Sequence, residues 1–212
     1  MLWTAGVAAL CLLVCLPLYM HYKQALRLPL ALGFKTMGTL CAMIMALIAA
    51  IKLDPRCYIC AVAIFLHAGA DCVLEMNLPV GAALFMAGHI CYIAFFTQVF
   101  PLTAVSLLCT IGLLVFMVFC LWRWRKQAGR QLPLFVIYGV VLCAMSGCAL
   151  GALTGHTLQG VLVAIGGGLF FFSDAILLRG LLFPQPRVYA WLIMITYYLA
   201  QLLFGFSCLL QG

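Results

Sequence analysis

Long apolar runs, broken at short intervals by lysine, arginine, proline and small polar clusters, set the pattern of this chain. The runs show no polar–apolar alternation, so they read as helices and not as strands of a membrane barrel. Eight are predicted, over about residues 2–20, 30–51, 57–76, 80–98, 101–121, 132–152, 158–178 and 188–208. Each approaches the roughly 20 residues that the hydrocarbon core of a bilayer requires. The links after the third and fourth (Asn77-Leu78-Pro79; Gln98 to Pro101) are short enough to make their neighbours antiparallel hairpins. The expected fold is an all-α integral membrane bundle of about eight transmembrane helices, with residues 1–212 forming a single polytopic domain.

Composition narrows the class further. Of the 212 residues, 68% are hydrophobic and 7% charged, against about 25% charged in a soluble domain. A water-soluble fold is excluded. The net charge of +7 is spread over short loops and forms no patterned basic face, so nucleic acid is not an expected partner. Lys23, Arg27, Arg123, Arg125, Lys126, Arg130, Arg179 and Arg187 fall in links on one side of the bundle, and only Lys52 and Arg56 on the other. The positive-inside rule then places both termini away from the cytoplasm. The host would be the plasma membrane in a bacterium and the endoplasmic reticulum in a eukaryote. No cleavable leader is read at the N-terminus, because a basic segment is missing and the first apolar run is long enough to remain as a span. Most of the twelve cysteines lie inside apolar runs as small hydrophobes. Cys57 and Cys60 have redox or metal-binding spacing, which so many cysteines also produce by chance.

Ionisable groups inside spans are costly and therefore candidates for function. Asp71, Glu75 and Asp174 lie in or at the end of predicted spans, as does Lys35. With a rise of 1.5 Å per residue, Asp71, Asp174 and Lys35 each sit about 8 Å inward from the cytoplasmic side. On the same reckoning His89 lies about 13 Å in, and Tyr197, Tyr198 and Gln201 roughly 14–20 Å. The intramembrane polar groups thus gather in one leaflet's half, which implies a polar cavity opening toward the cytoplasm. His67, Asp71 and Glu75 recur every four residues and share a helix face. The competing reading makes Asp71 and Asp174 structural, through an ion pair with Lys35 or an arginine, and lets Glu75 reach headgroup water. The third and seventh spans carry aspartates near the same end, in Gly69-Ala70-Asp71 and Phe172-Ser173-Asp174, which fits a parallel four-plus-four repeat. Gly139, Cys143, Gly147 and Gly151 form a small-residue stripe suited to close helix packing, and Gly166-Gly167-Gly168 thins the seventh span. Neither a Walker loop nor a GxSxG or HExxH pattern occurs.

Five stretches together resemble the YhhN-like family of membrane lysoplasmalogenases. They are Lys35-Thr36, Gly69-Ala70-Asp71-Cys72-Val73-Leu74, Leu84 to Tyr92 around Gly88-His89, Leu169 to Ser173-Asp174, and Thr196-Tyr197-Tyr198-Leu199-Ala200-Gln201. The chain departs from the usual family pattern at Ala70, where glycine precedes the aspartate, and at Thr36, where proline follows the lysine. Glu75 has no usual acidic counterpart, so its role is open. The resemblance implies hydrolysis of the vinyl-ether bond of lysoplasmalogens to a fatty aldehyde and a glycerophosphoethanolamine or glycerophosphocholine. A vinyl ether is cleaved by protonating its alkene carbon, and paired carboxyls, one protonated and one ionised, suit that step. Asp71 and Asp174 are the expected pair, with the acid unassigned between them. Lys35 would meet the substrate phosphate, while His89, Tyr197, Tyr198 and Gln201 would orient the carboxyls and the glycerol. The expected partner is a membrane lysophospholipid, with no cofactor and no metal. The rivals are a metal-dependent lipid hydrolase using His67, His89, Asp71 and Asp174, a proton-coupled carrier, and a noncatalytic lipid-binding protein.

Overall fold

The computed structural model describes residues 2–210, among which every regular element is helical. Helix α1 (Leu2–Ala9), a π-helical turn (Leu10–Cys15) and α2 (Leu16–Gln24) run on as one rod. They are followed by α3 (Leu28–Lys52), α4 (Cys57–Val73), α5 (Leu78–Val99), α6 (Ala104–Ala128), α7 (Leu132–Gly151), α8 (Leu158–Leu182) and α9 (Arg187–Ser207). Six stretches are long and apolar enough to cross a membrane. One of these, Ala104–Gly155, contains both α6 and α7, and α4 with 17 residues falls just short of that length. The all-α membrane bundle is therefore observed, and the expected spans are recovered with shifted ends.

Local chemistry explains the ends. The π-turn precedes Pro17, whose missing N–H and bulky ring disturb the α-ladder, and the Leu16 N–H reaches back five residues to Cys11 O. The rod continues to Gln24, beyond the apolar run, because Tyr19 and Lys23 bond to each other along its inner face. It closes in a left-handed turn at Leu26 (φ 57°), where Leu26 N–H donates to Lys23 O and Arg27 N–H to Tyr22 O. Pro29, Pro79 and Pro133 occupy first-turn positions, where their missing donor costs nothing. Asn77, Thr103 and Thr157 cap α5, α6 and α8 through their side-chain oxygens.

Six helices close into a ring in the order α3, α4, α5, α7, α8, α9, with α9 returning to α3. The first rod lies outside this ring against α3, and α6 lies outside it against α7. Each half of the chain thus contributes one peripheral helix and three ring helices in the same succession, the arrangement that a parallel duplication produces. The stripe on α7 is what seats α6: a Cβ at Gly151 would strike Ser106, and one at Gly147 would strike Thr110.

Candidate active site

Asp71 on α4 is almost wholly buried (1% exposed). Thr39 donates to its Oδ2 at 2.5 Å and Tyr197 to the same oxygen at 2.9 Å. The Lys35 ammonium lies 3.3 Å from Oδ1, an oxygen that otherwise has no hydrogen-bond partner. A buried carboxyl beside a buried ammonium is most stable as an ion pair, because either charge alone would be expensive at that depth. Asp71 thus pairs with Lys35, one oxygen accepting two hydrogen bonds and the other buried beside the ammonium.

Asp174 on α8 is buried too, but in a different company. Tyr138 donates a short hydrogen bond to its Oδ2, and His89 Nε2 lies 3.2 Å from the Tyr138 oxygen and 3.8 Å from Oδ2. Because the Tyr138 proton points at Asp174, its oxygen accepts from His89 Nε2–H, leaving His89 Nδ1 buried without a partner. Among the described residues no lysine or arginine forms an ion pair with Asp174. The two aspartates thus differ in whether a lysine pairs with them directly.

Their surroundings are nonetheless equivalent by position. Asp71 takes partners from α3 and α9, the helix before it in the chain and the one beyond that in the ring. Asp174 does the same with α7 and α5. The same 103-residue spacing separates Asp71 from Asp174 and Lys35 from Tyr138. One half carries an ammonium where the other carries a phenol.

Both aspartates line one polar cavity of about 240 Å³, together with Lys35, Tyr197 and Phe85. Its far end is formed by Lys23, Glu75 and Gln185, all beside links of the strongly basic side. There Lys23 and Glu75 pair at 2.5 Å, both partly exposed. Partial burial pushes the Glu75 carboxyl up, but the charge and hydrogen bond of Lys23 outweigh it and hold it below the ordinary glutamate value. Behind Phe85 and Asp174 lies a narrow apolar cleft of about 50 Å³, bounded by Leu78, Ala82, Met117, Phe135 and Leu142. Asp174 borders both spaces. The site is amphipathic, with polar groups on one side of this carboxyl and hydrocarbon on the other.

Two expected site residues stand further back. Tyr198 reaches no carboxyl; it donates to the backbone oxygen of Lys35 at 2.9 Å, and its ring fills the space a Cβ on Gly38 would need. Gln201 accepts from Tyr92 at 2.5 Å and donates to His67 Nδ1 at 2.8 Å, while His67 Nε2 donates to Phe85 O at 3.1 Å. This chain of bonds fixes His67 as a neutral imidazole with both nitrogens occupied. Among the described residues no group of three or more His, Cys, Asp or Glu side chains is placed to hold a metal. Tyr138, Thr39 and Lys23 were not anticipated. The 103-residue spacing of the aspartates would have led from Lys35 to Tyr138, whereas Thr39 and Lys23 carry no signal beyond lying on their helices' inner faces.

The fold and site define a multi-pass helical membrane protein with two buried, differently partnered carboxyls at an amphipathic cavity. The chain belongs to the YhhN family, whose model matches residues 30–208. That stretch includes both aspartates and leaves out residues 1–29, which hold the first rod and the start of α3, and the last four residues. No curated protein and no solved structure matches it.

Proposed function

We propose that the protein hydrolyses the vinyl-ether bond of a lysoplasmalogen, giving a fatty aldehyde and a glycerophospho-alcohol. The observation that carries this reading is the unlike pair of carboxyls on one cavity, Asp71 in direct contact with Lys35 and Asp174 with no lysine or arginine paired to it among the described residues. Family membership supports it, since the YhhN-like resemblance implies the same reaction.

In this reading Asp174 is the acid. Tyr138 occupies its Oδ2, so the proton resides on Oδ1, and the carboxyl stands where the apolar cleft meets the polar cavity. With the first carbons of the alkenyl chain at the cleft, Asp174 delivers its proton to the alkene carbon one removed from the ether oxygen, and an oxocarbenium ion forms. The Asp71 carboxylate faces that cation and takes a proton from the water that attacks it, through the otherwise unpartnered Oδ1. The hemiacetal then returns its hydroxyl proton to Asp174 while Asp71 protonates the departing glycerol oxygen. Both carboxyls regain their starting states. Lys35 keeps Asp71 ionised and has further protons for the phosphate. His89 and Tyr138 hold Asp174 in place, and Tyr197 and Thr39 hold Asp71.

The basic links beside the cavity mouth orient this opening, and with it the site, toward the cytoplasm, with both termini on the opposite side. Asn in place of either aspartate tests the pair. Asp71→Asn and Asp174→Asn proteins should purify with unchanged helicity and release aldehyde at least about 100-fold more slowly, the range of general acid–base catalysis. Full activity in either would remove the proposed pair.

A further inference from the structure

The mouth of the cavity holds charged groups that the bond cleavage does not use. Lys23 and Glu75 come from different elements, the end of α2 and the link after α4, and face each other across the opening. Lys23 also donates to the Tyr19 hydroxyl at 2.9 Å. Tyr19 is buried (3% exposed) and lines the cavity, so its own proton remains available to an acceptor there. Gln185, on the α8–α9 link, lines the same cavity, and its Oε1 is buried without a hydrogen-bond partner. Two ammonium groups and a phenol therefore offer donors at this end, while Glu75 and Gln185 offer acceptors.

We propose that Lys23 and Glu75 read the lipid headgroup, exchanging their mutual ion pair for the phosphate and the primary ammonium of a phosphoethanolamine lysolipid. The inference rests on the reading above only for the class of lipid that enters. Charge selects a zwitterion: Lys23, Lys35, Asp71 and Glu75 sum to zero, and a phosphate carrying an ammonium preserves that balance at a partly buried site. A phosphoglycerol headgroup would take Lys23 and leave Glu75 beside the phosphate with no compensating cation. Hydrogen bonding selects the primary amine, because Glu75 releases an N–H donor at 2.5 Å and a trimethylammonium has none to return. Quaternary ammonium groups are held instead by several aromatic faces. Here, among the described residues, Tyr19 is the one ring within reach of Lys23 and Lys35, at 5.4 and 6.0 Å.

The test uses the full-length protein in detergent and three lysolipids with a saturated 1-O-alkyl ether, which the proposed chemistry cannot cleave. They carry phosphoethanolamine, phosphocholine and phosphoglycerol, and binding is followed by intrinsic tryptophan fluorescence or thermal shift. The ethanolamine lipid should bind tightest, by about tenfold or more over choline, the size of one charge-assisted hydrogen bond, and by more over phosphoglycerol. Glu75→Gln should weaken the ethanolamine lipid to the level of choline and tighten the phosphoglycerol lipid, whereas Lys23→Gln should weaken all three. A merely structural pair would shift the three lipids alike. Equal affinities in the unmodified protein, or parallel loss for all lipids in Glu75→Gln, overturns the assignment. Turnover of the vinyl-ether counterparts is measured in parallel: its absence, with headgroup discrimination intact, removes the hydrolase reading and leaves the headgroup site standing.

Discussion

Tyr138 is the side chain on which the two aspartates' difference turns. Its hydroxyl sits between His89 and Asp174 and uses its single proton on the carboxyl. Tyr138→Phe leaves the ring and removes that bond, so Asp174 loses its orientation while the fold keeps its packing. Aldehyde release should fall by about 10–100-fold with little change in thermal midpoint, measured side by side; an unaltered rate would detach Tyr138 from the acid. Gly88 is constrained in the opposite sense. A Cβ there would meet the His67 ring, which is wedged between Gln201 and Phe85 O. Gly88→Ala should cost about 1–3 kcal/mol of stability by overpacking, read as a lower unfolding temperature. Asp71, Asp174, Lys35 and His89 stood out in the sequence because a polar group in an apolar run has few reasons to be there. Tyr138 did not, since tyrosine is at home in a span. Periodicity places Tyr198 and Gln201, expected to orient the carboxyls and the glycerol, on a face without saying which neighbour each meets.

The helices themselves were legible as apolar runs, and their ends were less so. The first rod extends to Gln24 rather than stopping near residue 20, and α6 to Ala128 rather than near 121. Long basic and aromatic side chains at both places cover apolar surface with their stems while their heads stay wet, so helix outlasts hydropathy. Conversely α4 ends at Val73, where Asn77 and Pro79 already start the next helix, and this puts Glu75 outside the span at the cavity mouth. Leu26 closes the first rod in a conformation that suits glycine, with its side chain 91% exposed and no packing to offset the strain. Leu26→Gly should therefore stabilise the protein by about 1 kcal/mol, seen as a raised unfolding temperature in detergent. A decrease would show that Leu26 makes contacts with lipid that outweigh its backbone strain.

Across the whole molecule, two halves with the same helix succession carry an aspartate at corresponding positions with different groups opposite it. Lys35 pairs with one, and Tyr138 with His89 faces the other, so a ring with the same helix order in both halves holds a chemically asymmetric pair. In the sequence the two halves share only two short matches around their aspartates, while in the structure they share the order in which their helices pack. Orientation can be read with a membrane-impermeant thiol reagent. Met76→Cys (native side 68% exposed) should be labelled from the cytoplasmic side only, and Leu53→Cys (52% exposed) from the opposite side only. The reverse pattern would turn the cavity mouth outward. In the proposed reaction, proton delivery to carbon is the step that distinguishes it from ester hydrolysis and nucleophilic hydrolysis. Purified protein should be given three lysolipids with one headgroup and a 1-alkenyl, 1-alkyl or 1-acyl chain, and aldehyde and fatty acid release followed together. The expected result is aldehyde from the alkenyl lipid alone, lost in Asp174→Asn, with the other two intact. Cleavage of the acyl lipid at a comparable rate, or alkenyl turnover that survives Asp174→Asn, would contradict it.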